Sequence, residues 1–154
     1  EILRCLVGSE MCIRDRNERE IRDSGVQGEM IVYGYLPMMI SAQCIRKTTL
    51  GCSGKSEIMW LKDRKDMRFP VVNQCRFCYN TIYNSAPLSL LGLSEQVTGL
   101  KPNAVRLNFT VEEPAAAGEI LDAFFEEYGM SEKAAEPPVL RNQFTRGHFK
   151  RGVE

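Results

Sequence analysis

The amino-acid sequence predicts an α/β fold that is incomplete as a stand-alone domain. Apolar and polar residues alternate over residues 105–111, which indicates a strand. A helical pattern of apolar residues follows from Pro114 to Gly129. An apolar segment at residues 29–33 indicates an earlier buried strand. Alternation of strands and helices is typical of parallel βαβ packing, and two such units cannot complete a sheet of this class. We therefore expect a preceding, missing amino-terminal part of the same protein to supply the rest.

The first sixteen residues are expected to be foreign to the protein. The segment from Leu6 to Asp15 has no periodicity and is the codon-by-codon translation of a transposase adapter used to prepare sequencing libraries. We interpret residues 1–16 as an unstructured adapter artefact and leave them out of fold reasoning. This interpretation removes Cys5 and Cys12 from the chemical argument.

The first part of the remaining chain predicts a helix end, a strand and a long loop. Residues 18–24 have the pattern of a helix end, and Gly25 supplies a left-handed cap. The strand at residues 29–33 follows, and residues 38–56 are expected to form a loop that holds the first two cysteines.

A β-hairpin is predicted next, from residues 57–62 and 67–72. Because proline cannot donate a backbone hydrogen bond, Pro70 places the second strand at a sheet edge. Two cysteines precede this hairpin and two follow it, so its folding is expected to bring the two pairs together.

The second half of the chain predicts a helix at residues 85–93, with Ser85 as its cap and Pro87 in its first turn. The strand and helix described above follow. Residues 17–129 are therefore expected to form the folded part, and residues 130–154 a linker and a basic tail.

Composition excludes some classes of function. Lysine plus arginine and aspartate plus glutamate balance at 20 each, so net charge provides no overall attraction to nucleic acid or membranes. The longest apolar stretch, residues 30–40, is interrupted by Gly34 and Pro37 and is too short to span a bilayer. We expect a cytoplasmic protein with no membrane partner.

Four cysteines carry the main chemical signal: Cys44, Cys52, Cys75 and Cys78. The Cys-x-x-Cys pair favours a metal or redox site over disulfides. Structural zinc sites usually have two closely spaced cysteine pairs, of which only Cys75 and Cys78 form one, whereas iron–sulfur clusters accept irregular loops. The spacing alone therefore does not decide between zinc and an iron–sulfur cluster. Four unrelated buried thiols are the plain alternative.

Several separate segments resemble the U32 peptidase family, in its collagenase-like branch. The resemblance is strongest from Glu29 to Cys44, a segment that is similar to the family's signature, although Tyr33 stands where the signature has histidine. The same pattern continues in Leu61 to Arg64, Phe69 to Val71, Cys75 to Cys78, Asn84 to Leu88, and Phe144 to Glu154.

The resemblance implies a fold and a cofactor. The fold would be the distal portion of a (β/α)8-type barrel with an inserted cysteine-bearing β-hairpin. Several family members bind a 4Fe–4S cluster through four cysteines in this region, which implies such a cluster here, with zinc as the alternative. Cysteine spacing departs from that of the best-known cluster-binding members, which have a shorter gap before the third cysteine and one more residue before the fourth. The implied ligands are Cys44, Cys52, Cys75 and Cys78.

The resemblance also implies an activity. Members with assigned roles include RNA hydroxylases, so the expected function is hydroxylation of RNA or a related substrate. The alternatives are a collagenase-like endopeptidase and a zinc-stapled RNA-binding module without catalysis. The complete protein is expected to be an enzyme and this chain alone to be inactive. His148 is the only histidine, which gives peptidase chemistry little support.

Candidate residues outside the cysteines are Arg106 and Glu112, because barrel enzymes place their chemistry at the carboxyl ends of strands. A solvated strand face and a helix-start carboxylate are the plain alternative. In the basic tail, cationic residues alternate with aromatic residues, which favours contact with RNA. The alternative is that the aromatic rings only hold the end of the chain on the fold and the charges stay solvated. The RNA-binding candidates are Arg146, His148, Lys150 and Arg151.

Overall fold

The computed structural model describes residues 28–129, 144–147 and 149. The described chain divides into two compact units. The first unit combines residues 28–34 with the described residues from Leu88 onward, and the second is Tyr35–Pro87. Our predictions of an artefact at residues 1–16, a helix end at 18–24 and a linker after residue 129 lie outside the described residues.

The first unit is built on strand β1, Glu29–Gly34, which lies between two neighbours. Strand β7, Ala104–Asn108, pairs with it in parallel, and strand β6, Leu88–Ser89, pairs with it antiparallel. Residues 30–33 are apolar or aromatic and buried, which is why this strand forms the core of the unit. The predicted strand and its parallel partner are confirmed, although β7 ends at Asn108, before the predicted residue 111.

The long helix α3, Pro114–Glu127, covers this sheet. Pro114 stands in its first turn, where a missing backbone N–H costs nothing. The Tyr33 ring contacts the rings of Phe109, at 5.6 Å between centroids, and Phe124, at 6.3 Å. The predicted helix is confirmed, but Phe125 is exposed and does not share the buried face with Phe124.

The helix predicted at residues 85–93 is wrong. Leu88 and Ser89 form β6, and a short helix, α2, begins only at Ser94 and ends at Gly99. The leucine pattern satisfied the helical rule locally, but pairing with β1 determines the structure, and the Leu90 N–H donates to Val32 O at 2.8 Å. Tertiary pairing therefore overrides the local preference.

The second unit is a four-stranded antiparallel sheet in the order β2-β5-β4-β3. Its elements are β2, Pro37–Ser41; helix α1, Ile45–Thr49; β3, Glu57–Lys62; β4, Arg68–Gln74; and β5, Tyr79–Tyr83. The hairpin of β3 and β4 is confirmed. Strand β2 and helix α1 replace part of the loop that we predicted, and β5 was missed.

The edge position predicted for Pro70 is wrong, because β4 lies inside the sheet. Pairing of β4 with β5 begins at Val71, so Pro70 stands just beyond that ladder while it lies opposite Trp60 on β3. A proline is tolerated there because no β5 residue pairs with it.

The two sheets make the protein a mixed α/β structure, and neither sheet closes into a barrel within the described residues. In that part of the chain no helix has the length and apolarity needed to cross a membrane.

Candidate metal centre

The topology of the second unit brings all four cysteines to one end of its sheet. At this end β2 finishes at Ser41, opposite Asn80, and β4 finishes at Gln74, opposite Tyr79. Strand β3 starts here too, with Glu57 opposite Asn73. Cys44 follows β2, Cys52 precedes β3, and Cys75 and Cys78 lie in the turn between β4 and β5. Chain segments that are far apart in sequence therefore deliver thiols to the same end.

Cys44 is the most firmly held of the four. It caps helix α1, where its sulfur accepts a hydrogen bond from the Lys47 N–H at 3.4 Å. Its thiol also donates to Asn73 Oδ1 at 3.5 Å. Cys44 and Asn73 are both buried. The sulfur therefore has a fixed direction.

The other three cysteines lie outside the strands and α-helices of this unit. Cys75 begins a single 3-10 turn, and its N–H donates to Ser56 Oγ at 3.3 Å, which ties this turn to the segment before β3. Cys78 ends the turn in the left-handed region, with φ of 53°, and its N–H donates to Cys75 O at 3.3 Å. Cys52 and Cys78 are exposed. This arrangement leaves both sulfurs accessible.

Two further contacts fix the segments that carry the thiols. The Asn80 side chain donates from Nδ2 to Gln43 O at 2.7 Å, which fastens the residue before Cys44 to β5. Arg46 of helix α1 forms an ion pair of 3.2 Å with Glu57 at the start of β3. Sequence reasoning missed the buried amides of Asn73 and Asn80, because an asparagine in a strand has no pattern that marks it as a support.

The electrostatics of Cys75 involve all of the other three thiols. Desolvation raises the pKa of Cys75, and the charge of Cys52 and a hydrogen bond with Cys52 raise it further. The charges of Cys78 and Cys44 raise the same pKa. All four cysteines are free thiols.

The placement of four cysteines at one end of the sheet is not by itself a ligand geometry. Among residues 28–129, 144–147 and 149, no group of three or more histidine, cysteine, aspartate or glutamate side chains is arranged to hold a metal ion. The sheet therefore gathers the cysteine segments at one end, and the assignment of Cys44, Cys52, Cys75 and Cys78 as ligands stays a prediction.

The two catalytic candidates lie in the first unit, in separate local networks. Arg106, on β7, forms an ion pair with Glu29 on β1, with Nε to Oε1 at 2.9 Å. Glu112 folds back after β7, and its Oε2 accepts from the N–H groups of Thr110, at 2.6 Å, and Val111, at 2.9 Å. Its other oxygen, Oε1, is buried with no hydrogen-bond partner in the described part of the chain. Both carboxylate contacts stabilise the fold locally.

The described part of the tail packs on the first unit. Thr145 forms a bridge to Leu88, and Phe149 is buried. Arg146 donates from Nη1 to Ser89 O at 2.9 Å and to Leu91 O at 2.6 Å, and its guanidinium lies over the Phe144 ring. Desolvation lowers the pKa of Arg146, although the charge of Glu127 opposes this.

Arg146, one of the proposed RNA contacts, is therefore engaged with the protein's own backbone. The remaining RNA-binding candidates, His148, Lys150 and Arg151, lie outside the described residues.

Comparison with known proteins does not extend this picture. No protein-family model, no curated protein and no solved structure matches the chain. The resemblance to the U32 peptidase family therefore stays a prediction from the motifs.

Proposed function

We propose that the chain is part of a U32 peptidase-family protein that carries a 4Fe–4S cluster and hydroxylates RNA or a related substrate. The observation that supports this proposal best is the delivery of four free cysteines to one end of a single sheet. Four thiolates are the usual ligand set of such a cluster. The ligands would be Cys44, Cys52, Cys75 and Cys78.

The chemistry of the donors fits an all-sulfur site. His148 is the only histidine of the chain and lies outside the Tyr35–Pro87 unit, so a mixed cysteine–histidine site within this unit has no imidazole to use. When bound, the cluster supplies one-electron chemistry. The protein's part is to hold the thiols, and hydrogen bonds to a sulfur, such as that from the Lys47 N–H to Cys44, tune its potential.

One part of the first unit supports the distal portion of a (β/α)8-type barrel, although β6 pairs antiparallel with β1 and such a barrel has only parallel strands. It has two adjacent parallel strands, β1 and β7, with helix α3 directly after β7. In such barrels the chemistry lies at the carboxyl ends of the strands, where Glu112 follows β7. In this proposal the other strands of the barrel come from outside the chain described here.

Metal analysis of the full chain, prepared without oxygen, tests the cofactor. We expect a brown protein with four iron atoms and four acid-labile sulfides per chain. Replacing Cys44, Cys52, Cys75 or Cys78 by serine should each abolish the visible absorption. Cys12→Ser, in the segment interpreted as an artefact, is the matched control and should leave it unchanged.

Two outcomes contradict the cluster. A colourless protein that holds one zinc ion through the same four cysteines would support the alternative of a zinc-stapled RNA-binding module. A protein that binds neither metal would exclude both proposals.

The activity is tested with the complete parent protein, because this chain alone is expected to be inactive. RNA from cells with and without the parent gene is digested to nucleosides and compared by mass spectrometry. A nucleoside that gains one oxygen atom only when the parent protein is present supports hydroxylation. Cleavage of denatured collagen by the purified parent, with unchanged RNA, would favour the endopeptidase instead.

A further inference from the structure

The balanced net charge of the chain hides a strong asymmetry between its two units. Residues 35–87 contain eight lysine and arginine residues but only three aspartate and glutamate residues, a formal net charge of +5. The rest of the chain has twelve basic and seventeen acidic residues, a formal net charge of −5. A compact cationic unit attracts polyanions, even in a protein whose total charge is zero.

The two faces of this sheet differ in burial near its centre, on strands β4 and β5. Residues directly opposite each other on neighbouring strands share a face. Val71 pairs with Ile82, and Asn73 pairs with Asn80; these four residues are buried, so they mark the inner face.

The other face, here called the outer face, follows from the same register. Ile40, Thr81, Val72 and Ile58 form one row across the four strands. Further along the β3–β4 hairpin, Trp60 lies opposite Pro70, which is buried. Lys62 lies opposite Arg68 and forms an ion pair of 2.8 Å with Asp66. The exposed fractions are 69% for Ile40 and 54% for Trp60. Large apolar and aromatic side chains are therefore open to solvent beside cations.

Aromatic residues continue this pattern at the turn between β4 and β5. Tyr79 lies two residues before Thr81 on β5, and so on the outer face. Its ring stacks with that of Phe77, at 6.3 Å between centroids. Phe77 is 67% exposed, and the Arg76 guanidinium lies 5.4 Å from the centre of its ring.

We propose that the outer face binds a single-stranded nucleic acid, with unpaired bases stacked on Trp60 and Phe77 and phosphates neutralised by Arg68 and, beside Phe77, by Arg76. Every base has a π-face, so exposed aromatic rings on a sheet bind single strands without a sequence code. Duplexes keep their bases stacked inside and cannot use these rings. The net charge of +5 on this unit favours a polyanion over an uncharged apolar partner.

This inference rests on the proposed function only in the class of substrate. It adds the surface that would hold the RNA, and it places that surface on the unit that carries the cysteines. Binding to this face does not require the cluster to be redox-active.

Trp60 provides a direct measurement, because it is the only tryptophan of the chain. The full chain is titrated with single-stranded oligouridine RNA, with oligothymidine DNA of equal length, and with an RNA duplex. We expect the single strands to quench the tryptophan fluorescence and to bind at least about tenfold more tightly than the duplex. Tighter binding of RNA than of DNA would assign the face to RNA, and equal binding would assign it to single strands of either kind.

Variants locate the site. Anisotropy of a labelled oligouridine should show about tenfold weaker binding for Trp60→Ala and for Phe77→Ala, which alter exposed side chains. Arg68→Glu should weaken binding and reduce the salt dependence of the association constant. The matched controls alter an exposed aromatic residue and an exposed cation of the other unit, Phe125→Ala and Lys101→Glu, and should bind as the unchanged chain does.

Three results would overturn the proposal. One is equal oligouridine affinity for folded Trp60→Ala and the unchanged chain. Another is duplex binding as tight as single-strand binding. The third is binding to vesicles of anionic lipid, but not to oligonucleotides, with a blue shift of Trp60 emission. Iron analysis of the same samples separates the two proposals. Protein that contains the cluster but does not bind single-stranded oligonucleotides would contradict the binding face and leave the cluster proposal standing.

Discussion

Replacing Gly34 by alanine should destabilise the first unit more than replacement of any freely placed glycine. Gly34 ends β1 with φ of 141°, a backbone conformation that residues with a Cβ rarely adopt. A Cβ at this position would lie 2.3 Å from the carbonyl oxygen of Asn108 and 3.1 Å from its carbonyl carbon. These are backbone atoms of β7, so no side-chain rotation relieves the overlap and the two parallel strands must move apart.

The magnitude follows from two contributions. Strain in the backbone costs about 1–2 kcal/mol, and overpacking in a close-packed region costs about 1–3 kcal/mol. Gly34→Ala should therefore lower the free energy of unfolding by about 2–5 kcal/mol. The assay is urea unfolding of the full chain followed by far-ultraviolet circular dichroism.

Gly51→Ala is the matched control, because Gly51 also has positive φ, of 84°, but a Cβ there meets no atom within 4 Å. Only the backbone cost of about 1–2 kcal/mol should appear. If Gly34→Ala costs no more than Gly51→Ala, the close approach of β1 and β7 described above is incorrect.

Three further predictions concern stability. Desolvation, followed by the charge of Glu127, raises the pKa of Tyr128 from 10.0 to about 12. Because the unfolded chain then releases this proton at lower pH than the folded chain does, the free energy of unfolding should fall as the pH rises from about 10 to about 12. Tyr128→Phe removes a buried hydroxyl that has no partner among the described residues. The free energy of unfolding in urea near neutral pH should change by no more than about 0.5 kcal/mol, and part of the loss of stability at alkaline pH should disappear. Glu127→Ala removes the acceptor of the Gly92 and Ser94 N–H groups and should lower the free energy of unfolding by about 1–3 kcal/mol in the same assay. An unchanged urea midpoint would show that water replaces the Glu127 carboxylate as the acceptor. Deleting residues 1–16 should change thermal stability by less than about 0.5 kcal/mol, and a larger loss would contradict the artefact interpretation.

Local patterns predicted the elements whose own residues determine them. The apolar run of β1, the paired patterns of β3 and β4, and the helical face that begins at Pro114 all appear where the sequence predicts them. Strand β5 was missed because five residues after a cysteine turn give too short a pattern, although Thr81 and Ile82 are good strand formers. The helix expected at residues 85–93 failed because pairing with β1, a non-local interaction, determines that segment.

The sequence predicted four donors for the candidate site, which stay a prediction, but it did not predict the residues that support their segments. Cysteine type and spacing pointed to a metal without any structure. The amides of Asn73 and Asn80, which fix Cys44 and the residue before it, become visible only when β4 and β5 are paired. The charge asymmetry is present in the sequence, but it can be counted only once the unit boundaries at Gly34 and Leu88 are known.

Those boundaries explain why the cysteine-bearing insertion is larger than the hairpin that we predicted. Gly34 lies directly opposite Leu88 in the pairing of β1 with β6, so residues 35–87 leave the first unit and return to it at the same place. A segment inserted in this way leaves the first sheet unbroken and can form its own sheet, as β2 to β5 do. Because Gly34 and Leu88 pair with each other, the four cysteines and the outer face belong to the one compact unit that lies between them in sequence.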